Sequence, residues 1–239
     1  MTAKPLATAN DLKSVLARLE AAGTAQNRKV YARHGAGPDL YGVSFKDLRA
    51  GARRLGLDQA LASELWGTKN ADARLLACMI ADPATIGDRV LDAWIGDVSY
   101  YVLVDVLVAE VATKAPGLLP RMMRWMASGS EWVAQGGWDL LAHYALKDAA
   151  AADDTFIPYL ETIEREIHIS QNRVRHAMNG ALMAIGLRDE RLAELAKKAA
   201  VRIGKVDVDH GETSCETPDA LRYIERGWAR KRAKSAARA

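Results

Sequence analysis

Residues 61–82 read LASELWGTKNADARLLACMIAD and hold two short apolar patterns on either side of the polar turn GTKN. Apolar residues lie four positions apart before the turn, at Leu61 and Leu65, and again after it, at Leu75 and Met79. Residues at this spacing share one face of an α-helix. The segment therefore predicts two short helices that fold back on each other, each with an apolar face to bury.

The same spacing of leucine, isoleucine and valine recurs along nearly the whole chain, whereas the period-two alternation of a β-strand is rare. Capping residues and prolines divide the pattern into separate helices, and the polar residues 23–43 are predicted to connect the first helix to the second. Besides the pair above, which starts at Asp58 and Asn70, helices are predicted over residues 10–22, from Ser44, and over 84–96, 98–114, 119–127, 131–148, 154–168, 172–186, 189–203 and from 218 onward. The predicted fold class is all-α.

The spacing of these helices indicates how they are arranged. Helices of about ten to eighteen residues are joined by short turns, and pairs start about 35 to 40 residues apart, as in HEAT-like helical repeats. The sequence therefore predicts a curved superhelical solenoid of HEAT-like antiparallel helix pairs, forming a single domain over residues 1–239. Because no sequence repeat is visible, an irregular helical domain stays open as the alternative.

The composition is that of a globular protein with a buried core. Of 239 residues, 49 % are hydrophobic and 26 % are charged, and two cysteines are too few for a disulfide scaffold. The first eleven residues lack the apolar run and cleavage site of a signal peptide, and no stretch approaches the ~18 apolar residues of a membrane span. We therefore expect a cytoplasmic protein that does not bind membranes.

Positive charge is concentrated at the C-terminal end. Residues 221–239 hold seven basic residues, the last of them Arg238, and one acidic residue, a net charge of +6, so the first 220 residues carry −3 of the total +3. Such a basic segment attracts polyanions because neutralised phosphates release counterions. The alternative is a basic end that only improves solubility. We predict a basic C-terminal helix or tail that binds phosphates through Arg222, Arg226, Arg230, Lys231 and Arg232.

Asp105 interrupts an otherwise apolar run over residues 102–108. Burying an unpaired carboxylate costs several kcal/mol, so an acid at this position requires a reason. Tyr101 lies four positions earlier and therefore on the same helical face. The two residues are candidates for a reactive site, and the alternative is an aspartate paired with an arginine of a neighbouring repeat.

Three stretches carry a more specific pattern. Residues 28–49 read RKVYARHGAGPDLYGVSFKDLR, in which an aromatic and a basic residue precede a glycine-bearing loop and an element of the form GV-S/P-x-x-x-LR. Together with residues 61–82 and with DAWIGDVSYYVLVDVL at 92–107, this stretch resembles the AlkD-like DNA alkylation repair proteins. The resemblance covers residues 28–149, about half of the chain.

The resemblance implies a HEAT-like solenoid whose concave face holds double-stranded DNA. Several members of that family are glycosylases that release N3- or N7-alkylated purines, and they are reported to do so without flipping the base into a pocket. Such a base is already cationic and leaves readily, so the enzyme's main task is to stabilise the oxocarbenium-like sugar and to orient water. By the resemblance Asp105 is the catalytic carboxylate and Tyr101 occupies the place of the family's usual tryptophan. We expect a monomer that needs no cofactor and no metal.

Departures from the family pattern are as informative as the match. Residues 132–142 read WVAQGGWDLLA, so Gln135 and Gly136 stand where the family commonly has two arginines, and Gly180 stands where it has a second tryptophan. The glycines at 136 and 137 predict a kink or a close approach to backbone, with DNA as a candidate for that backbone and a weakened helix as the alternative. Trp138 either supplies an aromatic surface or is buried. The candidate residues for contact with DNA or the lesion are Tyr100, Tyr101, Gln135, Trp138, Arg173 and Arg175.

Residues 209–215 contain four potential metal ligands but no recognised zinc spacing, so we expect a polar loop that helps to dock the last helix. Thr217 and Pro218 are predicted to be the cap and first-turn proline of that helix. Cys78 is predicted to be a small buried apolar residue.

Two functions follow. The first is a DNA glycosylase acting on cationic alkylpurines, favoured by the aromatic residue and Asp105 at positions i and i+4. The second is a non-catalytic helical-repeat protein that binds nucleic acid or a protein partner, favoured by the missing arginines and aromatic residue.

Overall fold

The computed structural model describes residues 10–237, and all regular secondary structure in that range is helical, which confirms the all-α prediction. Residues 1–9 and 238–239 lie outside the described residues, so the predicted contribution of Arg238 to the basic end does too. A 3-10 turn at Asp153–Phe156 and a π-helical turn at Val108–Ala112 accompany the α-helices. The helices are α1 Leu12–Ala22, α2 Ala25–Arg33, α3 Phe45–Leu55, α4 Gln59–Gly67, α5 Ala71–Ile80, α6 Gly87–Gly96, α7 Tyr101–Leu107, α8 Leu118–Met126, α9 Glu131–Lys147, α10 Ile157–Glu166, α11 Asn172–Gly186, α12 Glu190–Ile203 and α13 Ala220–Ala236.

Side-chain caps fix where several helices begin. Asp58 and Asn70 accept hydrogen bonds from backbone N–H groups in the first turns of α4 and α5, as predicted. The predicted cap of the last helix is wrong. Asp219, not Thr217, accepts the N–H of Arg222 at 3.0 Å, while the Thr217 hydroxyl is hydrogen-bonded to Nε2 of His210. The helix therefore begins two residues beyond Pro218.

Helix α2 lies within residues 23–43, which the sequence predicted to be a connecting segment. Thr24 caps it by accepting the N–H of Asn27 at 3.1 Å. Its mean hydropathy is low and Tyr31 is its buried residue, so an apolar stripe is missing from the sequence. The short helix is held by its cap and by contacts of Tyr31 rather than by an apolar face.

The single helix predicted over residues 98–114 is two elements. Helix α7 ends at Leu107, and the chain continues in the wider π-helical turn Val108–Ala112. Such turns insert one extra residue into a helix and often occur near functional residues. The sequence does not mark this change of geometry, because residues 106–109 on either side of the junction are all apolar.

The chain divides into two compact units. The N-terminal unit comprises Met1–Pro116 and Gly211–Thr213, and the C-terminal unit comprises Gly117–His210 and Ser214–Ala239. A single domain over residues 1–239 stays a prediction.

In the N-terminal unit, α5 packs between α3 and α7, and α4 packs on α5 across a short turn. Most of α5 is buried, including Cys78, as predicted. Trp66 and Trp94 stack face to face with ring centroids 4.3 Å apart. The buried Arg74 guanidinium lies 4.8 Å from the Trp66 ring and pairs with Asp97. This cluster links α4, α5 and the C-terminal end of α6.

In the C-terminal unit, α9 and α11 pack along their lengths and form the centre of the core, and α8 packs on α9. Helices α12 and α13 both contact α11 and each other. The helix pairs with short connections, α4–α5, α8–α9 and α11–α12, are the antiparallel hairpins that a HEAT-like repeat fold requires. None of the helices within residues 10–237 combines the length and the apolar character that a membrane span requires.

Candidate functional site

Asp105 lies on the solvent-exposed side of α7. The expectation of an acid buried in an apolar run is wrong, because the inward face of the helix is supplied by Leu103, Val104 and Leu107 and Asp105 falls between them on the outward face. Tyr101 lies one turn earlier and is half-buried. An accessible carboxylate and an aromatic ring therefore share one face of this short helix.

The phenol of Tyr101 is held from two sides. Its hydroxyl is hydrogen-bonded to Nδ1 of His34, and the two rings lie 6.0 Å apart. The ring of Tyr100 packs edge-on against it with centroids 5.9 Å apart. A tryptophan at this position has no hydroxyl, so the bond to His34 is a feature of this chain's tyrosine. No local pattern predicts this bond, because His34 and Tyr101 are far apart in the chain.

Tyr100 is buried, unlike its neighbour in sequence. Burial, together with the electrostatic influence of Tyr101 and other groups, raises the pKa of the Tyr100 hydroxyl well above its usual range. The upward shift keeps the Tyr100 hydroxyl protonated, and the Tyr100 ring contacts Tyr101 edge-on.

The segment between His34 and α3 is fixed by a single buried carboxylate. Asp72 is completely buried and accepts three backbone N–H groups, from Tyr41 at 2.6 Å, Gly42 at 2.9 Å and Val43 at 2.8 Å. The Tyr31 hydroxyl donates to the carbonyl of Val43 at 2.5 Å. These bonds make the connection after α2 a built structure rather than a loose loop, and sequence reasoning did not single out Asp72.

Two candidates on α9 face the interior of the C-terminal unit. Trp138 and Gln135 are 3 % and 2 % exposed. Trp138 thus follows the alternative that the sequence left open, a buried tryptophan. The amide of Gln135 donates to Asp139 at 3.4 Å. Contact of either residue with DNA stays a prediction.

The two arginine candidates on α11 are engaged within the unit. Arg173 is 8 % exposed. The guanidinium of Arg175 donates to the carbonyls of Ser170 at 2.7 Å and Asp207 at 3.3 Å. Arg175 therefore fastens the segment after α12 to the start of α11, and a role of either arginine toward DNA stays a prediction.

The glycines of α9 and α11 differ in their surroundings. A Cβ on Gly137 would lie 2.4 Å from the backbone nitrogen of Met126, which confirms the predicted close backbone approach. A Cβ on Gly180 would meet nothing within 4 Å. The position that holds a tryptophan in the family pattern is therefore open space in this chain.

Residues 204–219 form the irregular segment between α12 and α13, and side chains of α11 hold its residues 207–210. Asn172 exchanges two hydrogen bonds with the backbone of Asp209, at 2.8 and 2.7 Å. The rings of His176 and His210 meet edge-on at 5.6 Å. Burial lowers the pKa of His176 to about 4, and Arg173 and His210 add to the effect, so this imidazole is neutral at pH 7. Within residues 10–237 no three potential ligands cluster as a metal site would require.

The predicted basic C-terminal helix is present as α13, and its basic side chains are exposed. They are not equivalent. The Lys231 ammonium is hydrogen-bonded to the carbonyl of Leu187 and lies 4.3 Å from the centre of the Trp228 ring. Arg222 forms an exposed ion pair with Asp219 at 3.6 Å.

Comparison with known proteins places this geometry in context. The sequence profile of the family described as "DNA alkylation repair enzyme" matches residues 15–224. The uncharacterised protein Lin0241 of Listeria innocua is 30 % identical over 205 residues, covering 83 % of this chain and 88 % of that protein. The uncharacterised protein Lmo0209 of Listeria monocytogenes is 29 % identical over 211 residues, covering 86 % and 91 %.

A solved structure is similar over most of both chains. It was described under the words "a new family of proteins related to the HEAT-like repeat DNA glycosylases with affinity for branched DNA structures". Its TM-score is 0.85 at 30 % sequence identity, and the similarity covers 93 % of this chain and 95 % of that one. The helix pairs seen here therefore form a HEAT-like repeat fold.

Proposed function

The chain belongs to the DNA alkylation repair enzyme family, and from that premise we propose that it binds double-stranded DNA and prefers branched DNA to a linear duplex. The observation that carries the proposal is the similarity, at 30 % identity over 93 % of the chain, to a protein whose family has affinity for branched DNA structures. The exposed basic helix α13 supports a polyanionic partner. A monomeric state and a cytoplasmic location stay predictions.

The proposal is tested by fluorescence anisotropy with a labelled four-way junction and a linear duplex of the same sequence. We expect tighter binding to the junction and, for both DNAs, an affinity that falls as salt rises, because bound cations are released from neutralised phosphates. Equal affinity for both DNAs removes the branch preference. No binding of either DNA at low salt overturns the proposal as a whole.

The exposed position of Asp105 favours a second function on the same scaffold, an N-glycosylase for N3- or N7-alkylated purines. In the reaction, the bond between sugar C1′ and the base nitrogen breaks, its electron pair neutralises the cationic base, and water adds to C1′. The Asp105 carboxylate would stabilise the positive charge on the sugar and accept a proton from the water. Tyr101 would line the same surface.

The glycosylase reading is tested by chromatography of bases released from alkylated DNA. We expect the wild-type protein to release 3-methyladenine or 7-methylguanine and Asp105→Asn to release neither. Glu64→Gln, which removes an exposed acid from α4, is the control for loss of one negative charge and should retain release. Release that persists in Asp105→Asn removes Asp105 from the mechanism, and no release by the wild type leaves the binding function alone.

A further inference from the structure

Helix α13 has an anchored face and an exposed face. On the anchored face Ile224 is fully buried, and Nε1 of Trp228 donates to the carbonyl of Gly186 at 2.8 Å. The Lys231 ammonium is hydrogen-bonded to the carbonyl of Leu187. A cation at the last carbonyls of α11 is favoured there by the helix dipole. These contacts fix the rotation of α13 about its own axis and hold Lys231 against the protein.

The other face carries one row of cations. Arg222, Arg226, Arg230 and Lys234 follow at intervals of four residues, and all four are exposed. Residues four apart form a continuous ridge on a helix, slightly inclined to its axis. With a rise of 1.5 Å per residue the ridge is about 18 Å long. Glu225 is the one acid in α13, so the ridge keeps a strong positive charge.

The cations of this row form only weak interactions with the rest of the protein. Within residues 10–237, no hydrogen bond or ion pair holds Arg230 or Lys234. Arg226 donates from Nε to the carbonyl of Arg222 at 3.2 Å. The pair of Arg222 with Asp219 is exposed, and ion pairs of that kind contribute about 1 kcal/mol or less. A polyanion therefore displaces little when it binds along this row.

We propose that the row Arg222, Arg226, Arg230 and Lys234 is a binding surface for the sugar–phosphate backbone of one DNA strand, whereas Lys231 anchors the helix. The proposal rests on the proposed DNA-binding function and names the surface of the C-terminal unit that serves it. Phosphates follow one another every 3.4 Å along the axis of a strand, so a ridge of about 18 Å faces about five of them. Such contacts add affinity without sequence preference.

Arg232 provides an internal control for geometry. It lies two positions beyond Arg230, which places it about 200° further around the helix and therefore on another face. It is exposed and, among the described residues, has no hydrogen-bond or ion-pair partner, like Arg230. Arg230→Gln and Arg232→Gln thus remove the same charge from the same helix at two different faces.

The experiment measures the affinity for a labelled four-way junction and for the matching linear duplex over a range of salt concentrations. The plot of log K against log salt has a negative slope, and each lost phosphate contact makes it shallower by about 0.9. We therefore expect a change of about 0.9 for Arg230→Gln. For a variant that also carries Arg226→Gln and Lys234→Gln we expect a change of about 2.7. Arg232→Gln should leave the slope unchanged. Lys231→Met should lower the melting temperature and leave the slope unchanged.

Equal slope changes for Arg230→Gln and Arg232→Gln would overturn the proposal that the row binds the DNA backbone, because only the net charge of the helix would then matter. An unchanged slope in the triple variant, with normal binding by the wild type, overturns the ridge while the proposed function stands. Failure of the wild type to bind any DNA overturns the proposed function itself. Competition by poly-glutamate of equal charge provides a further test. If it displaces the labelled DNA as well as unlabelled DNA does, the row binds acidic polymers in general, and the proposal of a nucleic-acid partner is overturned. Circular dichroism melting of each glutamine variant, expected to match the wild type, verifies folding.

Discussion

The hydroxyl of Tyr101 and Nδ1 of His34 share a hydrogen bond although 67 positions separate the two residues. The bond joins the end of α2 to the first turn of α7, the helix that carries Asp105. The edge-on contact of Tyr101 with Tyr100 also lies within the N-terminal unit. The orientation of the ring beside Asp105 therefore depends on a segment that the sequence predicted to be only a connection.

Removal of that hydroxyl gives the first prediction. Tyr101→Phe keeps the ring and loses the bond, so we expect the free energy of unfolding to fall by about 1 kcal/mol, the net worth of an intramolecular hydrogen bond. Chemical denaturation measures the change. His34→Ala supplies the second arm of a double-mutant cycle. If the loss of unfolding free energy in the double variant equals the sum of the two single losses, the bond contributes nothing to stability.

The buried carboxylate of Asp72 gives the second prediction. Asp72→Asn keeps the size of the side chain but replaces one acceptor oxygen with an N–H donor facing backbone N–H groups. We expect a loss of about 3 kcal/mol in the free energy of unfolding, because hydrogen bonds to a charged acceptor are lost and buried donors remain. Urea denaturation measures the loss, and Asp207→Asn, which changes an exposed aspartate, is the control of equal chemistry. A loss below about 1 kcal/mol contradicts this role of Asp72.

The third prediction compares alanine substitutions at two helical glycines, Gly180 and Gly137, and expects opposite effects on stability. Gly180→Ala should raise the free energy of unfolding by up to about 1 kcal/mol, because alanine favours a helix and its Cβ meets nothing. Gly137→Ala should lower it by about 1 to 3 kcal/mol, because the Cβ would overlap the backbone of Met126. Thermal and chemical denaturation of both variants check the opposite signs, and equal signs refute the packing described for α8 and α9.

The fourth prediction concerns pH. Burial lowers the pKa of His176 to about 4 from 6.5, so between these values the unfolded chain holds a proton that the folded chain lacks. The free energy of unfolding must therefore fall as the pH is lowered through this window. Burial also lowers the pKa of His143, which acts in the same direction. Denaturation curves across the window should show a shallower fall for His176→Gln, and identical profiles would falsify this assignment.

Most of the helices were predictable because the spacing of apolar residues and the capping residues that determine a helix are local in the sequence. Asn172–Gly186 is α11 at the bounds that the apolar spacing predicts, and Asp58 and Asn70 cap the helices that follow them. Helix α2 was missed because its cap Thr24 precedes a polar segment with no apolar stripe. The π-helical turn after Leu107 was missed because the residues at the junction, 106–109, are all apolar and fit either geometry.

The candidate site was predictable in its residue types and not in its surroundings. The spacing of Tyr101 and Asp105 on one helical face follows from the sequence alone. Whether that face is exposed depends on how α7 packs, and the partners His34 and Tyr100 depend on tertiary contacts that no local pattern records. The same limit applies to Arg175. Its residue type suggested contact with a DNA phosphate, whereas in the structure its guanidinium donates to two backbone carbonyls.

The stacked indoles of Trp66 and Trp94 lie parallel within 1°. Two indoles in van der Waals contact couple their electronic transitions, and opening the stack removes this coupling and so changes the circular dichroism of the pair. Both residues belong to the N-terminal unit. The chain thus contains an intrinsic optical reporter for the half of the molecule that holds Asp105, and unfolding of that half can be followed without any added label.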